Sequence, residues 1–233
     1  MELMVRKYVP DYFAIDGNVR LEVWRDTDAE DPRKWDELGR MICWHSRYRL
    51  GDKHSYSSPD DFLGRLYAEQ DCRYDPDSVE SEELTREEII GKLEKRGVIM
   101  LPLYLFDHSG ISMSTSSSTY RMMDGAGWDW RQVGVIYATS ESIRKFFDRK
   151  RVTKKLKDNA RKALIEEVKT YSFYLEGEVY GYKLFVDGEE ADSCWGFYTD
   201  EPGKSYMREH ISGKYRYLLD SLEFNDGGRD FDI

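Results

Sequence analysis

Alternation of apolar and polar positions sets the first boundaries along the chain. Val19-Arg20-Leu21-Glu22-Val23-Trp24 repeats with period two, the mark of a half-buried strand, and Arg40-Met41-Ile42-Cys43-Trp44 reads as a second strand leading into His45. Asp26 to Pro32 between them is rich in turn formers, and Trp35 to Leu38 is ambiguous. Ser58-Pro59-Asp60-Asp61 ahead of Phe62, Leu63 and Leu66 predicts a helix entered through a proline in its first turn. Residues 71–83 are acidic and polar, as a loop would be.

Thr85-Arg86-Glu87-Glu88 has capping-box spacing, and the helix it opens, with Ile89, Ile90 and Leu93, should stop near Gly97. Val98 to Phe106 is almost continuously apolar and suits a central strand, with Ile111 to Thr115 pairing back across an Asp107–Gly110 turn. Gln132 to Ala138 predicts a further strand, and Ser140 starts a helix holding Ile143, Phe146 and Phe147. Leu156, Ala160, Ala163, Leu164, Val168, Tyr171 and Leu175 recur at three- and four-residue steps, predicting the longest helix over 153–176, ended by Gly177. Val179 to Val186 and Glu189 to Phe197 flank Asp187-Gly188, the dipeptide favoured where a hairpin needs two positive φ angles. Residues 205–222 look helical, and the acidic tail over about 224–233 should fray. With no linker or internal repeat in view, the pattern predicts a single α+β domain over residues 1–233. Its sheet is mostly antiparallel and packs against several helices, including the long one.

Composition narrows the class. The chain has 233 residues with 40% hydrophobic and 34% charged residues, enough to bury a core without disulfide staples. No apolar run is long enough to span a membrane, and the start lacks the apolar stretch of a secretory signal. Cys43, Cys72 and Cys194 are odd in number and far apart, which argues against a disulfide framework and for a reducing cytoplasm. The net charge of −10 is unevenly distributed. Ten cations between Arg144 and Lys162, against Asp148 and Asp158, give that stretch +8 and leave −18 elsewhere. Arg149, Lys150, Arg151, Lys154 and Lys155 are the centre of this strip, which either attracts an acidic partner or pairs internally with acidic segments such as Glu80 to Glu94. The anionic remainder argues against direct nucleic-acid binding, and the modest net charge together with the cationic strip argues against DNA mimicry.

The densest polar stretch, Asp107 to Thr119, follows the most apolar strand. Asp107, His108 and Ser109 beside Gly110 are candidates for acid–base or nucleophilic work, although neighbours on an extended backbone point to opposite faces and cannot form a simple dyad. The bland alternative is a hairpin corner with local hydrogen bonds. No Gly-x-Ser-x-Gly elbow is present. Cys194, within Asp192-Ser193-Cys194-Trp195-Gly196-Phe197-Tyr198, is either a thiol nucleophile or a small buried hydrophobe. The four histidines show no metal-ligand spacing, and no cofactor or phosphate loop is expected. Ser112, Ser114, the Gly110 amide and Arg121 could hold a nucleotide phosphate while Trp128 stacks on the base. Alternatively, Tyr120, Trp128 and Trp130 anchor a protein partner, or close the core.

Three blocks, Arg47 to His54, Leu101 to Thr115 and Asp192 to Tyr198, together with Trp128-Asp129, Gln132-Val133-Gly134 and Val179-Tyr180-Gly181-Tyr182, resemble a family of hypothetical proteins of phages, prophages and other mobile elements. Those proteins tend to carry a shorter segment with proline and cysteine before the Trp-Asp pair, where this chain has the serine-rich Ser116 to Gly127. The resemblance implies a setting in a host cytoplasm and no particular reaction. In that setting the expected role is non-enzymatic: binding a host protein or defence complex, such as a CRISPR component, to inhibit or redirect it. The alternatives are a protein that sequesters a nucleotide signal, and a small hydrolase or nucleotide-processing enzyme using His108 and Cys194.

Overall fold

A computed structural model describes residues 9–71, 84–108 and 110–226. The expected α+β architecture is present, with every strand pairing among the described residues antiparallel and the strands divided between two sheets. The chain forms two compact units, one from Met1–Asp31 with Phe173–Ile233 and the other from Pro32–Ser172.

In the first unit, β1 (Tyr12–Asp16) and β2 (Val19–Arg25) form a hairpin around Gly17, whose φ of 60° supplies the left-handed turn. The sequence pattern above did not pick out β1. β7 (Val179–Val186) and β8 (Glu189–Tyr198) form the second hairpin; Asp187 and Gly188, at φ 54° and 86°, make the turn that the dipeptide predicted. With the short β9 (Glu223–Phe224), the sheet order is β8-β7-β2-β1-β9, and its inner face packs Leu21, Val23, Tyr180, Tyr182 and Phe197 against Met207, Ile211 and Leu218.

Residues 205–222, expected to be helical, contain a short helix, α6 (Met207–His210), followed by a 3-10 stretch over Gly213–Ser221. The tail does not fray from 224: β9 (Glu223–Phe224) pairs with β1, and the Asn225 amide donates to the Asp11 carbonyl at 2.8 Å. Edge pairing of two residues has too short a period to show in a sequence. Residues 227–233 lie outside the described residues.

In the second unit the sheet order is β3-β6-β4-β5, with β3 (Arg40–Cys43), β4 (Ile99–Asp107), β5 (Ile111–Ser114) and β6 (Trp130–Ala138). The apolar run predicted as a central strand is β4, flanked on both sides. Helix α1 (Pro59–Gln70) is capped by Ser58, whose hydroxyl accepts from the Asp61 amide, and α2 (Arg86–Lys95) by the Thr85–Glu88 box. Phe62, Leu66, Ile89 and Leu93 of these helices pack with Ile42 and Tyr137 of the sheet. Most of the segment read as a loop over 71–83, with Cys72, lies outside the described residues.

Helix α3 (Ser117–Arg121) is a single turn, α4 (Ser140–Phe146) is capped by Thr139, and α5 (Lys154–Glu176) is the long helix expected from its apolar stripe. That stripe also buries Glu167, which accepts from the Leu38 and Gly39 amides and the Arg33 guanidinium. Burial first, and the nearby Glu37 carboxylate second, push its carboxyl up to about 7.

Candidate functional site

The end of the second unit's sheet gathers most of the residues singled out in the sequence. Between Leu103 and Tyr104 the β4–β6 register slips by one residue, leaving Val133 as a bulge whose carbonyl accepts from the Trp44 amide at 2.7 Å. A bulge turns the strand. Beyond it Trp130, Arg131 and Gln132 run opposite Phe106, Leu105 and Tyr104, and the chain ahead of them forms a loop over 122–129.

Asp124 organises that loop. Its carboxylate accepts from the Ala126 amide at 3.0 Å and the Asp129 amide at 2.9 Å, while its carbonyl accepts from the Trp130 indole at 3.1 Å. The Asp129 amide first, and those of Trp128, Ala126 and Gly127 after it, hold the Asp124 carboxyl below its usual range against a partial desolvation. Gly127, at φ 75°, supplies the turn that an L side chain rarely adopts. At the other end Tyr120 is buried and stacks on Phe106 at 5.4 Å, which anchors α3. Tyr120 therefore closes the core and does not belong to an exposed aromatic platform.

The loop held in this way turns its apolar side chains outward. Met122 is 90% exposed, Met123 68% and Trp128 88%. Trp130 is half-buried, edge-on to Tyr104. The methionines were not among the residues singled out; their neighbours carry no apolar period, and only the fixed turn shows that they face water.

Beside the loop is a cavity of about 210 Å³, floored by Leu105 and bordered by His45, Asp107, Trp128, Asp129 and Arg131. Asp107 accepts from the Tyr48 hydroxyl at 3.1 Å and faces the Arg47 guanidinium at 3.5 Å, whereas the exposed His108 ring lies 3.1 Å from Asp129. Asp107 and His108 thus have different partners, as neighbours on an extended strand should. Burial, and then its bond to Asp107, raise the Tyr48 hydroxyl. His45 Nδ1 accepts from the Arg47 and Tyr48 amides at 3.2 and 3.1 Å, which places the proton of the neutral ring on Nε2. That nitrogen lies 2.7 Å from the Arg131 guanidinium. Desolvation, followed by Arg131, lowers the affinity of His45 for a second proton.

The remaining candidates separate. Ser112 and Ser114 lie on β5, where the Ser114 hydroxyl bonds Thr119 at 3.3 Å and accepts from the Ser116 amide at 3.1 Å; Arg121 is exposed at the end of α3. Ser114 thus spends its hydroxyl on the turn that leads into α3. Ser109 lies outside the described residues, and among the others no hydroxyl is hydrogen-bonded to the His108 ring. Cys194 is on β8 of the first unit, half-buried, with its sulfur 3.9 Å from His210 Nδ1, a loose contact for a thiol–imidazole pair. Cys43 is buried, and desolvation pushes its thiol up to about 12, which leaves it inert. Arg149, Lys150, Arg151, Lys154 and Lys155 are all exposed. Among the described residues no cluster of side chains suits a metal ion, and no helix is long and apolar enough to cross a membrane. No family model matches the chain, and neither a curated protein nor a solved structure matches it.

Proposed function

We propose that this chain is a non-enzymatic interaction protein that grips a partner protein through the 122–131 loop and the cavity beside it. One observation carries the reading: three large apolar side chains, Met122, Met123 and Trp128, are more than two-thirds exposed on a turn whose backbone Asp124 ties down. Isolated exposed apolar groups are ordinary, but a preorganised group of them next to polar seats has the anatomy of a binding centre. The polar side chains of His45, Asp107 and Arg131 around the cavity supply the polar part. The resemblance to mobile-element proteins gives the partner its setting, a host factor or defence complex that binding would inhibit or redirect.

A nucleotide-sequestering role fits less well. The cavity of about 210 Å³ is below the roughly 300 Å³ at which small-molecule pockets begin, and Ser114 of the nominated hydroxyls bonds within its own turn. The test is co-elution of the purified chain with a component of host lysate on size exclusion. Wild type should carry a stoichiometric partner that Met122→Ser/Met123→Ser/Trp128→Ala loses while keeping its fold. Retention of the partner by the triple variant rejects the loop, and a thermal shift with a mono-, di- or cyclic nucleotide rejects the reading in favour of the sequestering role.

A further inference from the structure

The stretch with +8 charge finds no counter-charge in an ion pair among the described residues. Among the described residues none of its ten cations forms an ion pair, although the exposed carboxylates of α2 were natural candidates; those pair with Thr85 or face solvent. The backbone beneath the cations is built firmly. α4 ends in a Schellman closure, with the Arg149 amide donating to Arg144 at 2.9 Å and the Asp148 amide to Lys145 at 3.2 Å. Asp148 takes the left-handed position at φ 50°, where glycine is usual. Four residues on, Thr153 caps α5, its hydroxyl accepting from the Leu156 amide at 3.2 Å. Lys155 and Lys162 then stand opposite the buried Leu156, Ala160 and Leu164, with Lys154 and Arg161 on the flank and the half-buried Lys157 at the edge of the apolar stripe.

The placement also opposes a local preference. The first turn of α5 contains Lys154 and Lys155 and no acidic residue, which sets cations at the positive end of a 23-residue helix dipole. A rule broken without internal compensation is expected where a surface serves something outside the chain.

We infer that residues 144–162 form a docking face for an acidic segment of a partner protein. This rests on the reading of the chain as an interaction protein, and adds a second surface with a stated partner chemistry. Two features favour a protein over a nucleic acid. The α5 part of the face is only about 12 Å long, so a duplex extends past it while the rest of the chain, at −18, repels the phosphates, whereas a short acidic helix or loop ends where the face ends. Phe146, 47% exposed and edge-on to Phe147, also gives the face an apolar anchor, which a protein segment can use and a phosphate backbone cannot.

The test titrates the full chain with a 20-residue peptide of glutamates and interspersed leucines, and separately with a 20-base-pair DNA duplex, at 50 and 200 mM salt. The peptide should bind more tightly than the duplex and weaken about tenfold or more across that salt range. Lys150→Glu/Arg151→Glu/Lys154→Glu/Lys155→Glu should abolish peptide binding, Phe146→Ser should weaken it several-fold, and Trp128→Ala should leave it unchanged. The last arm separates this face from the loop, since either can fail alone. No peptide binding at 50 mM salt, undiminished binding by the charge-reversed variant with its circular dichroism intact, or tighter binding of the duplex would overturn the inference.

Discussion

Replacing Trp128 by alanine separates a recognition surface from a core residue by size of effect. With 88% of the ring in water, the side chain gives up only about a tenth of its roughly 250 Å² to protein. At about 25 cal/mol per Å² that is ~0.7 kcal/mol, so Tm should fall by about 2 °C in a chain of this size. Tyr120→Ala, a short way upstream, is the internal contrast. Tyr120 is 3% exposed and stacked on Phe106, and its loss should cost about 3–5 kcal/mol and lower Tm by roughly 10 °C. For partner binding the order reverses: an anchoring tryptophan is worth about 2 kcal/mol or more, a thirtyfold loss in affinity, with no change in fold. Differential scanning fluorimetry on the two variants, with calorimetry on the purified complex, reads both quantities. A Tm drop near 10 °C for Trp128→Ala would mean the indole is packed; unchanged affinity would mean it is idle. Either result refutes the reasoning.

Further outcomes follow from the same geometry. Lys154→Glu/Lys155→Glu removes cations from the positive end of α5 and should raise Tm by roughly 2–4 °C; a fall would show that these lysines make stabilising contacts. Glu167, held at about 7, keeps in the folded state a proton that the unfolded chain releases above about 4.5. Its contribution is therefore fully present below about 4.5 and lost as pH rises through 7. Glu37→Gln takes away the repelling carboxylate, and the urea midpoint of that variant should decline less than wild type between pH 5 and 7.5; a steeper decline would contradict the assignment. Gly134→Ala would put a Cβ 2.1 Å from the Ile42 carbonyl oxygen, forcing β3 away from β6. It should destabilise by about 1–3 kcal/mol in chemical denaturation, and a neutral result would show that the two strands can part freely.

Local rules carried much of the fold in the sequence. The Thr85–Glu88 box, the Asp187-Gly188 turn and the α5 stripe are interactions within a few residues of one another, and each recurs as expected. What escaped depends on distant partners. β1 and β9 are short strands whose pairing is set by each other, and Glu167 sits in an apolar stripe because Arg33 and two amides more than a hundred residues away in sequence satisfy it. The site was legible in part for the same reason. Trp128, Trp130, Asp107 and His108 stood out by residue type, whereas Met122, Met123, His45 and Arg131 join them only through the Asp124 turn, the Val133 bulge and the approach of the loop after β3. The cationic strip was visible as a count of charges, but that its cations form no ion pair among the described residues is a property of the fold.

Site-specific photocrosslinking shows whether the 122–131 loop is where a partner is held. A benzophenone side chain replaces Trp128 in one protein and Phe224, itself 66% exposed, in a control. After irradiation in host lysate, position 128 should give one discrete adduct that excess wild-type protein suppresses, and position 224 should give none. No adduct at 128, or the same adducts at both positions, would contradict the claim.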